Sequence, residues 1–288
     1  MANSLLQTPV PSPPEKASVE RKTAAAAIPE ELPTREPPVL FSVRGVSKIF
    51  PNGNRALDGI ALDIYAGECL LIAGSNGSGK TLLTRILTGL MDSTGGEIFF
   101  RGRPLEDCAG MIRREVGLVF QDADAQIVGE TVAEDIAFGP KNLGCSKAET
   151  GKRVQNALDA VGLGEKKDFP PRRLSGGEKR RLAEAGVLAM GCGTLIMDEP
   201  FANLDWPGVI QVLEIIRQLK GEGKTVIILT HELEKVLAFA DRLIILDRGR
   251  IRDQGVPGAV LDRLTAEYGV RDPRRRYTRV EDCTWLAP

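Results

Sequence analysis

The sequence predicts an α/β fold: a core built on a parallel sheet, a small antiparallel β region at its start and a helical subdomain inserted in it. Three observations predict this. Five short apolar runs recur without polar alternation, the segments between them have helical spacing, and residues 131–174 lack strand patterns. A strand that is apolar on both sides is buried on both faces, as in a parallel sheet whose crossovers are helices.

In chain order, residues 1–38 come first. They are rich in Pro, Ala, Ser and Glu and hold eight of the 18 prolines. Such a stretch cannot offset its ordering entropy by burial, so a disordered tail is expected, with no need for a short helix at 24–27. The main domain is expected over 39–265 and opens at about 41–65 with antiparallel strands. The apolar runs are CLLIA at Cys69–Ala73, VGLVF at 116–120, TLIM at 194–197, TVIILT at Thr225–Thr230 and LIILD at 243–247. Thr131-Val-Ala-Glu134 is a capping-box pattern that opens the inserted lobe. Residues 266–288 read as a tail with Arg271, Arg274, Arg275, Arg276 and Arg279. That tail is either a solvated surface or a patch for a partner or a lipid headgroup.

Composition bounds the function. The chain has 288 residues, 42% of them apolar, and a net charge of −1. That suits one large globular domain or one domain with an inserted lobe. It argues against a general nucleic-acid binder, which is basic overall. The cysteines Cys69, Cys108, Cys145, Cys192 and Cys283 form no CxxC pair, and the single histidine is His231. Free thiols in a reducing compartment are expected, and a zinc site is not. No apolar run approaches the ~20 residues of a membrane span, and no signal core opens the chain. A cytoplasmic chain is expected.

Gly74-Ser75-Asn76-Gly77-Ser78-Gly79-Lys80-Thr81 follows the Cys69–Ala73 run and precedes a helical pattern at 81–90. This is a P-loop in its strand–loop–helix context, so the core reads as that of a P-loop nucleoside triphosphatase. Glycines let backbone N–H groups curl around phosphate oxygens, and the helix turns its positive end to the anion. Lys80 is expected to reach the β- and γ-phosphates of ATP, and Thr81 to ligate Mg²⁺. Leu195-Ile-Met-Asp198-Glu199 ends an apolar strand in two acids. Asp198 is expected to hold Mg²⁺ and Glu199 to act as general base on the attacking water.

Leu174-Ser175-Gly176-Gly177-Glu178 lies about 95 residues after the P-loop. Ser175 and Glu178 make a capping box, which alone would mean only a helix start. Ser-Gly-Gly also leaves bare donors at a positive helix end, a second anion site. Two phosphate-binding surfaces on one chain are used together if two subunits face each other head to tail.

With these motifs, residues 41–255 resemble the ATP-binding subunits of ABC transporters. The resemblance implies that Phe50 stacks on adenine and that Gln121 touches Mg²⁺ or the attacking water. It also implies that Asn203-Leu204-Asp205 crosses the dimer and that His231 contacts the γ-phosphate. Departures are Glu178 where Gln is common and Ser75 where Pro is common. The segments Gln121-Asp-Ala-Asp-Ala-Gln126-Ile127-Val128 and Thr131-Val-Ala-Glu-Asp-Ile-Ala-Phe-Gly-Pro140-Lys-Asn-Leu are similar to those of energy-coupling factor importers and related cobalt and nickel transporters. That implies a dimer with itself or a paralogous ATPase, a transmembrane scaffold, a substrate-binding membrane protein and a place on the cytoplasmic face of the membrane. Gln126, Ile127 and Val128 would then meet the scaffold's coupling helices. An exporter subunit is the nearest rival, separated only by the segment after Gln121. Soluble ABC ATPases acting on DNA need a coiled coil that the spacing excludes, and translation factors need two such domains. A P-loop kinase lacks Leu-Ser-Gly-Gly-Glu.

Overall fold

Proline and glycine punctuation after Phe50 folds the first strands into a hairpin, with Gly53 taking a positive φ of 82° in the turn. The computed structural model describes residues 37–274. Residues 1–36 of the tail expected over 1–38, and Arg275, Arg276, Arg279 and Cys283, lie outside these residues. Strand β1 (Val39–Ile49) pairs antiparallel with β2 (Arg55–Tyr65). Then come β3 (Cys69–Ala73), α1 (Lys80–Leu87), β4 (Gly95–Phe100), β5 (Arg103–Pro104), α2 (Ala109–Glu115) and β6 (Val116–Val119). Helices α3 (Val132–Asn142), α4 (Lys147–Val161) and α5 (Gly176–Met190) precede β7 (Thr194–Asp198) and α6 (Trp206–Gly221). The remainder is β8 (Thr225–Thr230), α7 (Leu233–Val236), β9 (Arg242–Asp247), β10 (Arg250–Gly255) and α8 (Pro257–Asp262).

Two sheets result. The hairpin sheet has the order β2-β1-β4-β5, and the central sheet β10-β9-β3-β8-β7-β6. The five apolar runs form the parallel part, β6, β7, β8, β3 and β9. Residues alternate across it. Cys69, Leu71 and Ala73 join a core with the helical lobe and α6, whereas Leu70 and Ile72 join one with α1 and the hairpin sheet. Both faces are dry, so every residue of β3 is buried. Each fully buried leucine or isoleucine contributes about 1.5–3 kcal/mol.

Strands β4, β5 and β10 add to the expected set. β4 starts Gly-Gly and β10 has the polar sequence RIRDQG, so neither has the apolar run of an inner strand. β10 is an antiparallel edge, where one wet face suffices. Thr131 caps α3 by accepting from the Glu134 N–H. α5 packs on α3 and α4, so the helical lobe continues beyond residue 174 into the helix after Ser175. Packing also runs past residue 265: Val270 is buried in the core, and Leu264 and Tyr268 lie against it. No helix among the described residues is long and apolar enough to cross a membrane.

Candidate nucleotide site

The P-loop wraps between the end of β3 and the start of α1. Gly74 has room for no side chain, since a Cβ there would lie 2.1 Å from the Leu246 carbonyl oxygen and 2.6 Å from Ser78 Oγ. Gly79 caps α1 in a left-handed conformation, φ 106°. Lys80 is buried, and its ammonium donates to the carbonyls of Gly74 at 2.7 Å and Ser75 at 3.3 Å. Asn76, Gly77, Ser78, Gly79, Lys80 and Thr81 line a cleft of about 410 Å³. Phe50, Gln121 and Glu199 line the same cleft. Lys48 Nζ sits 5.8 Å from the centre of the Phe50 ring.

Beside Lys80 the acidic pair ends β7. The Thr81 hydroxyl donates to Asp198 Oδ2 at 2.6 Å. Burial pushes the Asp198 carboxyl up, and the Thr81 hydrogen bond opposes it. Glu199 Oε1 lies 3.4 Å from Lys80 Nζ and 3.1 Å from His231 Nδ1, so three elements meet at one oxygen. Glu199 Oε2 and Asp198 Oδ1 are buried without a hydrogen-bond partner. Glu199 has a positive φ of 48°, a strained conformation for a side chain of this size, worth about 1–3 kcal/mol. Its N–H donates to the Leu229 carbonyl at 2.8 Å. The strain aims the carboxylate at the cleft.

Ser175, Gly176 and Gly177 stand elsewhere, at the N-terminus of α5, and none of them lines the cleft. Both halves of the capping box are present. Ser175 and Gly176 are exposed. Glu178 turns inward: its carboxylate accepts from Lys166 and from the Ser175 N–H, which hold it below the usual carboxylate range. The Glu178 carboxylate is thus engaged within its own subunit, as the capping-box pattern implies. Asp205 caps α6 by accepting from the Gly208 N–H at 3.0 Å. One chain therefore unites Phe50, the P-loop, Gln121, Asp198, Glu199 and His231, but not the α5 terminus or Asp205.

The profile of the ABC transporter family matches residues 57–202. A cobalt import ATP-binding protein of Rhodobacter capsulatus is 41% identical over 240 residues, covering 81% of this chain and 85% of the relative. The chain belongs to the ABC transporter family. Further ABC relatives, 39–43% identical, are named energy-coupling factor transporter ATP-binding proteins. Against one of these, from Methanospirillum hungatei, the chain spans 56% of the relative's length. Among solved ABC structures, CbiO1 of Clostridium perfringens, described as part of the cbiONQ complex, matches with a TM-score of 0.70 at 36% identity. It covers 78% of this chain and 91% of its own. A cassette solved as a post-hydrolysis dimer with ADP and Pi matches with a TM-score of 0.70 at 26% identity, over 76% of this chain and 99% of its own.

Three further features of this ABC chain escaped the sequence. Arg180 is buried and its guanidinium reaches the backbone of Gln121, Asp198 and Glu199. Asp135 Oδ1 accepts from the N–H groups of Val128 at 2.7 Å and Gly129 at 2.8 Å. Gln126 accepts from the Phe120 N–H at 3.0 Å and donates to the Leu118 carbonyl at 3.2 Å, so its amide fastens the end of β6. Ile127 packs on the core. Of the trio expected to meet a partner, Val128 has most of its side chain outward, 62% exposed. For Arg180 and Asp135 the partners are backbone groups, which leave no trace in residue type.

Proposed function

We propose that this chain is the ATP-hydrolysing subunit of an energy-coupling factor-type importer. It couples ATP binding and hydrolysis in a head-to-tail dimer to uptake of a vitamin or transition-metal ion. The observation that carries the reading is the meeting of Lys80, His231 and the Glu199 carboxylate beside the Thr81–Asp198 pair in the Phe50 cleft. Lys80 holds the β- and γ-phosphates. The Glu199 carboxylate accepts a proton from water as the water oxygen bonds to the γ-phosphorus. The bond to the β,γ-bridging oxygen breaks, and ADP and phosphate leave. His231 orients Glu199 through Oε1, leaving Oε2 for the water. Gln121 lines the same cleft.

The residues also fit a divalent cation. Asp198 Oδ1 is a buried oxygen without a partner next to the Thr81 hydroxyl, and the Gln121 amide is in the cleft. Asp198, Thr81 and Gln121 are the side chains that would hold Mg²⁺ here. Bound there, Mg²⁺ neutralises charge on the phosphates.

The exposure of Ser175 and Gly176 at the start of α5 supports the dimer, since closing over a second subunit's γ-phosphate requires that terminus to be accessible. The energy-coupling factor and cobalt names of the relatives support a transmembrane scaffold and a substrate-binding membrane protein as partners, with this chain on the cytoplasmic face. The domain reading is an ABC ATPase domain opening at residue 39, with the packed segment through Val270 belonging to it rather than to the tail expected from 266.

The test is purification of the tagged chain from membranes, with ATP turnover measured for wild type and Glu199→Gln. A multispanning partner and a loss of about 10²–10⁴ in turnover with ATP still bound are expected. An active enzyme without a membrane partner would withdraw the transport reading and keep the chemistry.

A further inference from the structure

The Arg180 side chain is 4% exposed and belongs to α5, the helix that starts at Ser175. Nη1 donates to the Gln121 carbonyl at 3.0 Å. Nη2 donates to the carbonyls of Asp198 at 2.9 Å and Glu199 at 2.6 Å. One planar group thereby ties three segments: the helix with the exposed Ser-Gly-Gly terminus, the exit of β6 and the strained turn after β7. A guanidinium suits this because its donors lie in a rigid fork. Burial pushes the guanidinium's pKa down, and nearby acidic groups, Asp198 and Glu199 among them, oppose this only in part.

We propose that Arg180 is a positioning residue that couples the two ATP sites of the dimer. In a head-to-tail pair, the Ser175 end of a subunit closes one site while its Glu199 works in the other. Arg180 joins these two half-sites inside the subunit. When α5 is drawn onto the partner's nucleotide, the guanidinium carries Gln121 and the Glu199 turn with it, and the subunit's own site is set for hydrolysis. Arg180 does not line the cleft that Gln121 and Glu199 line, so it acts on the rate through the placement of those two residues. The inference rests on the ATP-hydrolysing dimer proposed above.

The experiment uses the complete membrane complex with Arg180→Lys and Arg180→Gln, beside wild type. Equilibrium ATP binding and kcat are measured separately. Lys keeps the charge but cannot fork to three carbonyls. Both variants are expected to bind ATP within about twofold of wild type and to lose about 10- to 100-fold in kcat, as misplacement of catalytic groups does. A folded variant with wild-type kcat, or one that loses ATP binding in step with kcat, overturns the proposal. A second measurement needs no substitution. In wild type, ATP should slow amide exchange at 119–123, 175–181 and 198–203 with one common time course. Protection at 175–181 without protection at 198–203 overturns the proposal even if both variants fail to fold. Wild type that binds but does not hydrolyse ATP would instead sink the ATP-hydrolysing reading, and the coupling with it. Wild type that hydrolyses ATP while Arg180→Lys matches it sinks only the coupling.

Discussion

Single side chains carry the chemistry, and their legibility varied with what they bind. Lys80, Thr81, Asp198, Glu199 and His231 could be read because each sits at a strand or helix end with a distinctive neighbour. Phe50 came from the family resemblance, and the fold brings it to the cleft that the P-loop lines. Glu178 was legible in part, since its spacing from Ser175 marks the capping box that the structure has. In the fold Lys166 and the Ser175 N–H take its carboxylate, and Lys166 is too distant in sequence for spacing to reveal. Glu184 is another case, one turn beyond Arg180 on α5 and 1% exposed. Burial pushes its carboxyl from 4.5 up to about 8, with Arg180 and Arg181 opposing. A carboxyl whose folded pKa is raised takes up a proton on folding between the two values. Its stabilising protonated form is therefore complete below the unfolded value and is lost as pH rises toward about 8. Glu184→Gln should flatten this fall. The variant should gain on wild type by no more than about 1.4 kcal/mol per pH unit between those values and level off above them. Denaturant melts across that range check it. An unchanged slope would show that Glu184 is ionised in the fold.

Among elements, the inner strands were legible and the edges were not. β3, β8 and β9 are apolar on both faces, and no other structure of that length explains such runs. β10 presents one wet face and β4 begins with two glycines, so periodicity had nothing to detect. The segment after Gln121 looked like a partner-contacting stretch, yet its form is fixed from within. Gln126 is bonded back to β6, and the Asp135 carboxylate gathers the N–H groups of Val128 and Gly129 at the start of α3. Removing one acceptor from two donors costs about 1–3 kcal/mol. Asp135→Ala should lower the melting midpoint and the yield of the membrane complex, with ATP binding by the isolated chain unchanged. Asp135→Asn keeps an acceptor oxygen and should recover part of the yield. Equal recovery of complex with all three chains would mean that this segment does not set the partner surface.

At the scale of the molecule, the two surfaces proposed to bind phosphate are separate, since the Ser175 terminus of α5 forms no part of the Phe50 cleft. A pair of chains is the arrangement that lets both be used. Glu199→Gln with ATP should therefore run as a dimer in light scattering, and adding Ser175→Arg, which places a bulky side chain at the exposed terminus, should return it to monomer. A dimer that persists in the double variant would move the contact away from α5. The double-sided core has a different use. Because Leu70 and Leu71 face opposite chambers, β3 acts as a partition one strand thick. Isotope-labelled methyl groups on these adjacent residues become two independent reporters, one hearing the P-loop helix and hairpin, the other hearing the helical lobe. Their order of response to ATP would time the spread of motion through the subunit without a probe on its surface.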